Sequence, residues 1–155
     1  MNKINYKSFA FHLLVPIMLL FIIIMLVPDY GSYYNNLAKP FPVLESFIFF
    51  GIYAITYFIF GLAAYFVDEE EGEHKKAFNY YYISMFMNLL YIPITFGTRS
   101  LLVGFLWSFL LIVFIFLTYK EFRKINKLSG KLFIIYFVVA NFITYYSFML
   151  FLLNR

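Results

Sequence analysis
The chain has no cysteine, one tryptophan, five prolines and only eight acidic residues in 155. Without cysteine there is no disulfide framework, no thiolate nucleophile and no Cys-ligated metal. Charged residues make up 13% of the chain and apolar residues 64%. Soluble domains sit nearer ~25% charged and ~45–50% apolar. A globule this small cannot hide the excess, because short chains bury a smaller share of their surface. Two histidines, His12 and His74, stand apart without paired carboxylates, so they make no metal site. No Ser–His–Asp set, glycine-rich phosphate loop or carboxylate dyad is present, and nothing in the residue spacing argues for catalysis. The net charge of +4 comes from basic residues flanking apolar segments. That placement reads as anchoring to lipid headgroups, not as a nucleic-acid face.

What is abundant is uncharged length. The hydrocarbon layer is ~30 Å thick and a helix rises ~1.5 Å per residue, so about twenty apolar residues cross it. Five stretches fit: about 9–27, 43–67, 78–96, 101–119 and 132–153. The expected fold is an all-α, five-span bundle forming one membrane domain over residues 1–155. The first stretch follows Lys3 and Lys7, as in a signal peptide, but it is too long for a typical h-region. Pro28-Asp29 follows it without a small-residue cleavage site. It is read as a retained span, with Pro16 favouring a kink.

Between spans lie a turn-rich loop at 28–42 (PDYGSYYNNLAKPFP), an acidic loop at 68–76, the short Gly97–Ser100 connection and a basic loop at 120–131. The short connection makes spans 3 and 4 antiparallel neighbours. Nine of the twelve basic residues fall on the side of the N-terminus and three (Lys39, Arg99, Arg155) on the other. The positive-inside rule then places the N-terminus in the cytoplasm and loop 28–42 outside.

Polar groups at membrane depth need a partner or a cavity. Asn88 in span 3 and Asn141 in span 5 either face a shared cavity or hold helices together, the latter worth ~0.6 kcal/mol on average. Glu45 suits the N-terminus of span 2. His12, one turn into span 1, reads as a packed or snorkelling residue. Aromatics reach 25%, with 23 Phe and 15 Tyr. Tyrosines near span ends fit an interfacial belt. Tyr53, Tyr57, Tyr91, Tyr136, Tyr145 and Tyr146 lie inside spans, where a hydroxyl wants an acceptor. Their arrangement is read either as simple packing or as the wall of a cavity for a flat, mostly apolar ligand.

Several ordered motifs resemble the translocator protein (TspO/MBR) family, which includes the tryptophan-rich sensory proteins and the peripheral benzodiazepine receptor. Tyr33-Tyr34-Asn35-Asn36-Leu37-Ala38-Lys39-Pro40 resembles W-Y-x-x-L-x-K-P. Tyr53, Tyr57 and Gly61 keep the spacing of W-x-x-L-Y-x-x-M-G. Asn88 to Arg99 is similar to L-N-x-x-W-x-P-x-F-F-G-x-R, with Tyr91 in a tryptophan place. Tyr136, Phe142 and Thr144 follow P-Y-x-x-W-x-x-F-A-T. The chain departs from the family at Pro42, Leu44 and Glu45 (no W-x-P-P), at Val139 (a tryptophan place), at Asn141 (a small residue) and at Trp107 (an aspartate).

The resemblance implies a receptor or carrier for a porphyrin or another flat hydrophobic molecule, including sterol-like ones, with a sensory or transport role. The porphyrin would be a ligand and not a cofactor. It implies a homodimer, for which Gly104-x-x-x-Ser108 offers a small-residue face, in a multi-pass protein of the plasma membrane. The site would be lidded by 28–42, with Tyr33, Tyr34, Lys39 and Pro40 at the rim. Tyr53, Tyr57, Asn88, Tyr91, Trp107, Val139, Asn141 and Phe142 would line it. Some family members degrade porphyrin in light, an activity linked to pocket tryptophans; Tyr53 and Val139 in those places argue against it here. A structural subunit without ligand is the remaining reading. A sterol-type pattern, Leu117 and Tyr119 through Arg123, follows span 4 and not span 5 as in the family.

Overall fold
A computed structural model describes residues 5–155; Lys3 of the basic N-terminal cluster lies outside the described residues. The described residues form helices and loops only. The helices are α1 (Tyr6–Met25), α2 (Tyr30–Asn35), α3 (Ser46–Asp68), α4 (Lys75–Ile92), α5 (Leu101–Ile125) and α6 (Lys127–Leu153), with a π-helical turn at Pro93–Gly97 between α4 and α5. Four of these helices, α1, α3, α5 and α6, are long and apolar enough to cross a membrane by length and composition. The expected third span, 78–96, is α4 plus the π turn. Lys75, Lys76, Asn79, Asn88 and four tyrosines make α4 more polar than the others. Pro93 then ends its α-helical ladder, because proline has no N–H to donate. The Thr98 N–H returns to the Pro93 carbonyl at 3.1 Å and closes the wider turn.

The expected basic loop at 120–131 is almost entirely helical. Only Asn126 leaves helical geometry, with φ −134° and ψ 122°, and its side chain accepts the Leu128 and Ser129 N–H groups. One N-capping residue therefore replaces the loop. Glu45 does sit at the start of α3, but its carboxylate makes no capping bond. Loop 28–42 also contains an unforeseen element, the short α2.

Packing runs in a ring: α1 on α3, α3 on α6, α6 on α5, α5 on α4, and α4 back on α1. The antiparallel pairing of α4 with α5 agrees with the short connection. The α1–α3 contact depends on two sequence features. Pro16 cannot donate to the carbonyl four residues back, that of His12, so this carbonyl is freed from the ladder. Gly61 of α3 lies directly against it. A Cβ there would collide with His12 O and sit 3.0 Å from His12 C and 3.2 Å from Leu13 Cα. The core consists of two aromatic clusters. One, toward loop 28–42, gathers Tyr34, Phe49, Tyr53, Tyr91, Phe96 and Tyr146. The other, toward the N-terminal side, gathers Phe60, Tyr81, Phe122, Phe133 and Tyr136. Phe60 stacks on Tyr81 with ring centres 4.4 Å apart.

Candidate functional site
Between α3, α4, α5 and α6 lies a hollow of about 20 Å³. Its wall is formed by Ile52, Tyr53 and Thr56 from α3, Asn88 and Tyr91 from α4, Ser108 and Leu111 from α5, and Tyr136, Val139, Ala140, Ile143 and Thr144 from α6. The wall carries no charged side chain. Only Ile52 and Val139 are half-buried; the other ten are buried. The thinnest wall is therefore the α3–α6 seam, where Ile52 and Val139 stand. A volume of this size admits about one water, far below the ~300–1,000 Å³ of pockets for drug-sized ligands. Aromatic bulk fills the rest: Tyr53 stacks on Tyr91 at 5.8 Å and 25°.

The hydroxyl and amide tips are largely satisfied within the bundle. Asn88 Nδ2 donates to Tyr136 OH at 2.7 Å, joining α4 to α6. Tyr91 OH and Ser147 Oγ share a 2.5 Å hydrogen bond, and Ser147 Oγ also donates to Ile143 O at 2.8 Å. Trp107 Nε1 donates to the Met87 carbonyl at 2.7 Å. Tyr57 is buried with its hydroxyl unpartnered among the described residues, as are Tyr30 OH and Thr95 Oγ1.

Of the residues expected to line a cavity, the fold brings Tyr53, Asn88, Tyr91 and Val139 to the hollow. Tyr57 is one helical turn further along α3 in the core. Trp107 and Phe142 are half-buried and pack beside the lid-side cluster. Asn141 departs from the expectation: it is exposed, and its Nδ2 turns back to the Phe137 carbonyl at 2.7 Å. Since Tyr136, Val139, Ala140, Ile143 and Thr144 face inward at helical spacing, Asn141 falls on the outer face. Tyr145, an expected interior tyrosine, is likewise 49% exposed. Thr56, Ser108 and Thr144 also line the hollow without being expected there, and Tyr136, expected only as one of several interior tyrosines, joins them. The i, i+4, i+8 spacing of Tyr136, Ala140 and Thr144 carries the signal for two of them.

Tyr33, Tyr34, Lys39 and Pro40 sit at the lid. Tyr34 OH donates to the Leu44 carbonyl at 2.8 Å and lies 3.2 Å from Tyr146 OH. That tyrosine in turn accepts the Leu44 N–H at 3.2 Å. Asn154, past the end of α6, pairs with both backbone groups of Ala38 at 2.9 Å each. Lys39 Nζ donates to Asn35 O at 3.1 Å and lies 5.3 Å from the Tyr34 ring centre. The Arg99 guanidinium stands 5.5 Å from that of Tyr33. Two cations thus stand at the lid above an uncharged interior. Chemically, this interior presents tyrosine faces and a few hydrogen-bonding groups, and a flat apolar group would fit between them only with the helices parted. Among the described residues no cluster of three or more His, Asp or Glu side chains could hold a metal ion.

The family described as the TspO/MBR family matches residues 11–153. A protein named tryptophan-rich sensory protein, from Cereibacter sphaeroides, is 28% identical over 130 residues, covering 84% of this chain and 80% of that protein.

Proposed function
This chain belongs to the TspO/MBR family, and on that premise we propose that it is a receptor or carrier taking a porphyrin, or another flat hydrophobic molecule, between α3, α4, α5 and α6. Family and apolar helices make it an integral, multi-pass membrane protein with a sensory or binding role. In the proposed form α4 and the π turn supply the fifth crossing, and the basic N-terminal side faces the cytoplasm of a plasma-membrane protein.

The observation that carries the ligand reading is the uncharged hollow flanked by the stacked Tyr53 and Tyr91 and by Asn88. Its present volume requires the α3–α6 seam to part before a macrocycle enters. The flat ligand then replaces tyrosine–tyrosine stacking with ligand–tyrosine stacking, and the Asn88 side-chain carbonyl accepts a ring N–H. Lys39 and Arg99 at the lid would meet propionate groups. Titrating the purified protein side by side with protoporphyrin, haem and a sterol, followed by quenching of Trp107, tests this. Saturable quenching by the porphyrins that weakens in Asn88→Leu is expected. Quenching that is absent, or identical in Asn88→Leu, defeats the reading. Illuminating the complex and following its Soret band separates binding from degradation.

A second reading is favoured by a specific observation. The buried tips clasp one another, as Asn88 with Tyr136 and Tyr91 with Ser147, which is what a ligand-free structural subunit would need. The same titration distinguishes it. For the proposed homodimer, Gly104 and Ser108 are not a free face. Gly104 is pressed onto the Thr95 side chain, and Ser108 lines the hollow. A dimer would therefore have to use other residues.

A further inference from the structure
The seam where α4 meets α1, on the opposite side of the bundle from the α3–α6 seam, is a groove with a polar mouth and an apolar length. At the mouth a cleft of about 440 Å³ is lined by Lys7, Ser8, His12, Asp68 and Tyr82, with Phe11 and Phe78 beside them. His12 is buried, its side chain only 6% exposed, while that of Asp68 is 44% exposed. His12 Nε2 lies 3.4 Å from Asp68 Oδ2, and Ser8 Oγ donates to the same oxygen at 2.5 Å. His12 also stacks on Phe78 at 5.9 Å. The carboxylate is thus held in place from behind, with both contacts on Oδ2.

The cleft continues along the seam. It shares Phe11, His12 and Tyr82 with an apolar space of about 80 Å³ bordered by Val15, Pro16 and Met85. Met85 is shared in turn with a third, of about 290 Å³, between Leu19, Ile22 and Ile23 of α1 and Phe86, Leu89 and Leu90 of α4. Phe11 to Ile23 is twelve residue steps, or about 18 Å of helix. One leaflet's share of the hydrocarbon is about 15 Å. The groove therefore runs from one membrane surface to near the midplane, which is the reach of an acyl chain.

We propose that the α1–α4 groove binds a zwitterionic glycerophospholipid of the phosphatidylethanolamine type, its headgroup at Asp68 and Lys7 and one acyl chain along the seam. Two features select this occupant. The mouth presents one carboxylate and one ammonium among the described residues, matching a headgroup with one ammonium and one phosphate. The apolar length matches one leaflet. The primary ammonium donates to Asp68 and the phosphate accepts from Lys7; a quaternary choline ammonium has no N–H to donate. The proposal is independent of porphyrin binding, which uses the other seam.

The test is native mass spectrometry of the full chain, purified in detergent and exposed to equimolar phosphatidylethanolamine, phosphatidylcholine and phosphatidylglycerol. The expected result is a retained single adduct favouring phosphatidylethanolamine. Asp68→Asn should cut that adduct roughly tenfold, the equivalent of one charge-assisted hydrogen bond, and level it with phosphatidylcholine. Leu90→Trp, which fills the deep end without touching the mouth, should reduce every adduct, and it carries the test if Asp68→Asn does not fold. Equal retention of the three lipids, preference for phosphatidylglycerol, adducts unchanged in either variant, or a lipid-free protein dimer would each overturn it.

Discussion
Replacing Gly61 by alanine tests how α1 is held to the bundle. The added Cβ would collide with His12 O and sit 3.0 Å from His12 C and 3.2 Å from Leu13 Cα. All three atoms are backbone, so no rotamer change relieves the contact and α1 must move off α3. A comfortable C···O approach is about 3.3–3.6 Å, so the displacement exceeds an ångström. Overpacking of this kind costs about 1–3 kcal/mol. The rigid backbone puts Gly61→Ala toward the upper end, and better helix propensity returns up to about 1 kcal/mol. A net loss of about 2 kcal/mol corresponds to a Tm lower by about 4–8 °C in a chain of this size. Gly51→Ala is the internal control. It lies in the same helix with nothing within 4 Å of its added Cβ, so it should hold or raise Tm. Far-UV circular dichroism of both variants, melted in the same detergent, reads the difference. If Gly61→Ala melts with or above Gly51→Ala, the proline-freed carbonyl and close helix approach do not organise this interface.

Other perturbations probe the lid, the corner and the tips. Asn154→Ala removes both bonds to Ala38, each worth about 0.5–1.5 kcal/mol net. Amide hydrogen exchange should therefore speed up within residues 36–44 while α3 to α6 stay protected; unchanged lid exchange would refute the latch. Asn126→Ala removes the cap of α6 and should destabilise by about 0.5–2 kcal/mol. Asn126→Ser keeps an accepting oxygen and, like the alanine, lacks the amide that donates to Glu70 Oε1 at 2.6 Å; it should recover much of the loss, and failure of that rescue would exclude capping as the cause. Tyr136→Phe deletes the acceptor of Asn88 and leaves a buried amide N–H unpaired, a loss of about 1–3 kcal/mol. In Asn88→Leu/Tyr136→Phe, with both partners removed, much of that loss should return. A double-mutant cycle with no coupling would show that the bond contributes nothing.

The spans were legible because hydropathy is a local, additive property: runs such as 9–27 and 101–119 need no partner to identify them. The short Gly97–Ser100 link and the pairing it imposes were legible for the same reason. Charge along 120–131 suggests a loop, whereas the structure continues helix through it on both sides of Asn126. Whether Asn126 caps a helix depends on its own φ and ψ and on the amides that follow. The interior of the site was legible only in part. Tyr53, Asn88 and Tyr91 interrupt apolar stretches and so announced themselves, and Val139 entered only through a family motif. Asn141 looked equivalent to Asn88, yet its helical phase turns it outward.

The amino-acid sequence by itself determined a membrane bundle, its family and the spacing of its tyrosines, since each is a property of neighbours along the chain. Tertiary structure alone decided that Gly61 meets the carbonyl Pro16 sets free, that the polar tips close on one another around about 20 Å³, and that a mouth with Asp68 and Lys7 opens onto the α1–α4 seam. Those outcomes follow from how five rods are rotated about their axes and how closely they approach, quantities set by packing between residues far apart in the chain.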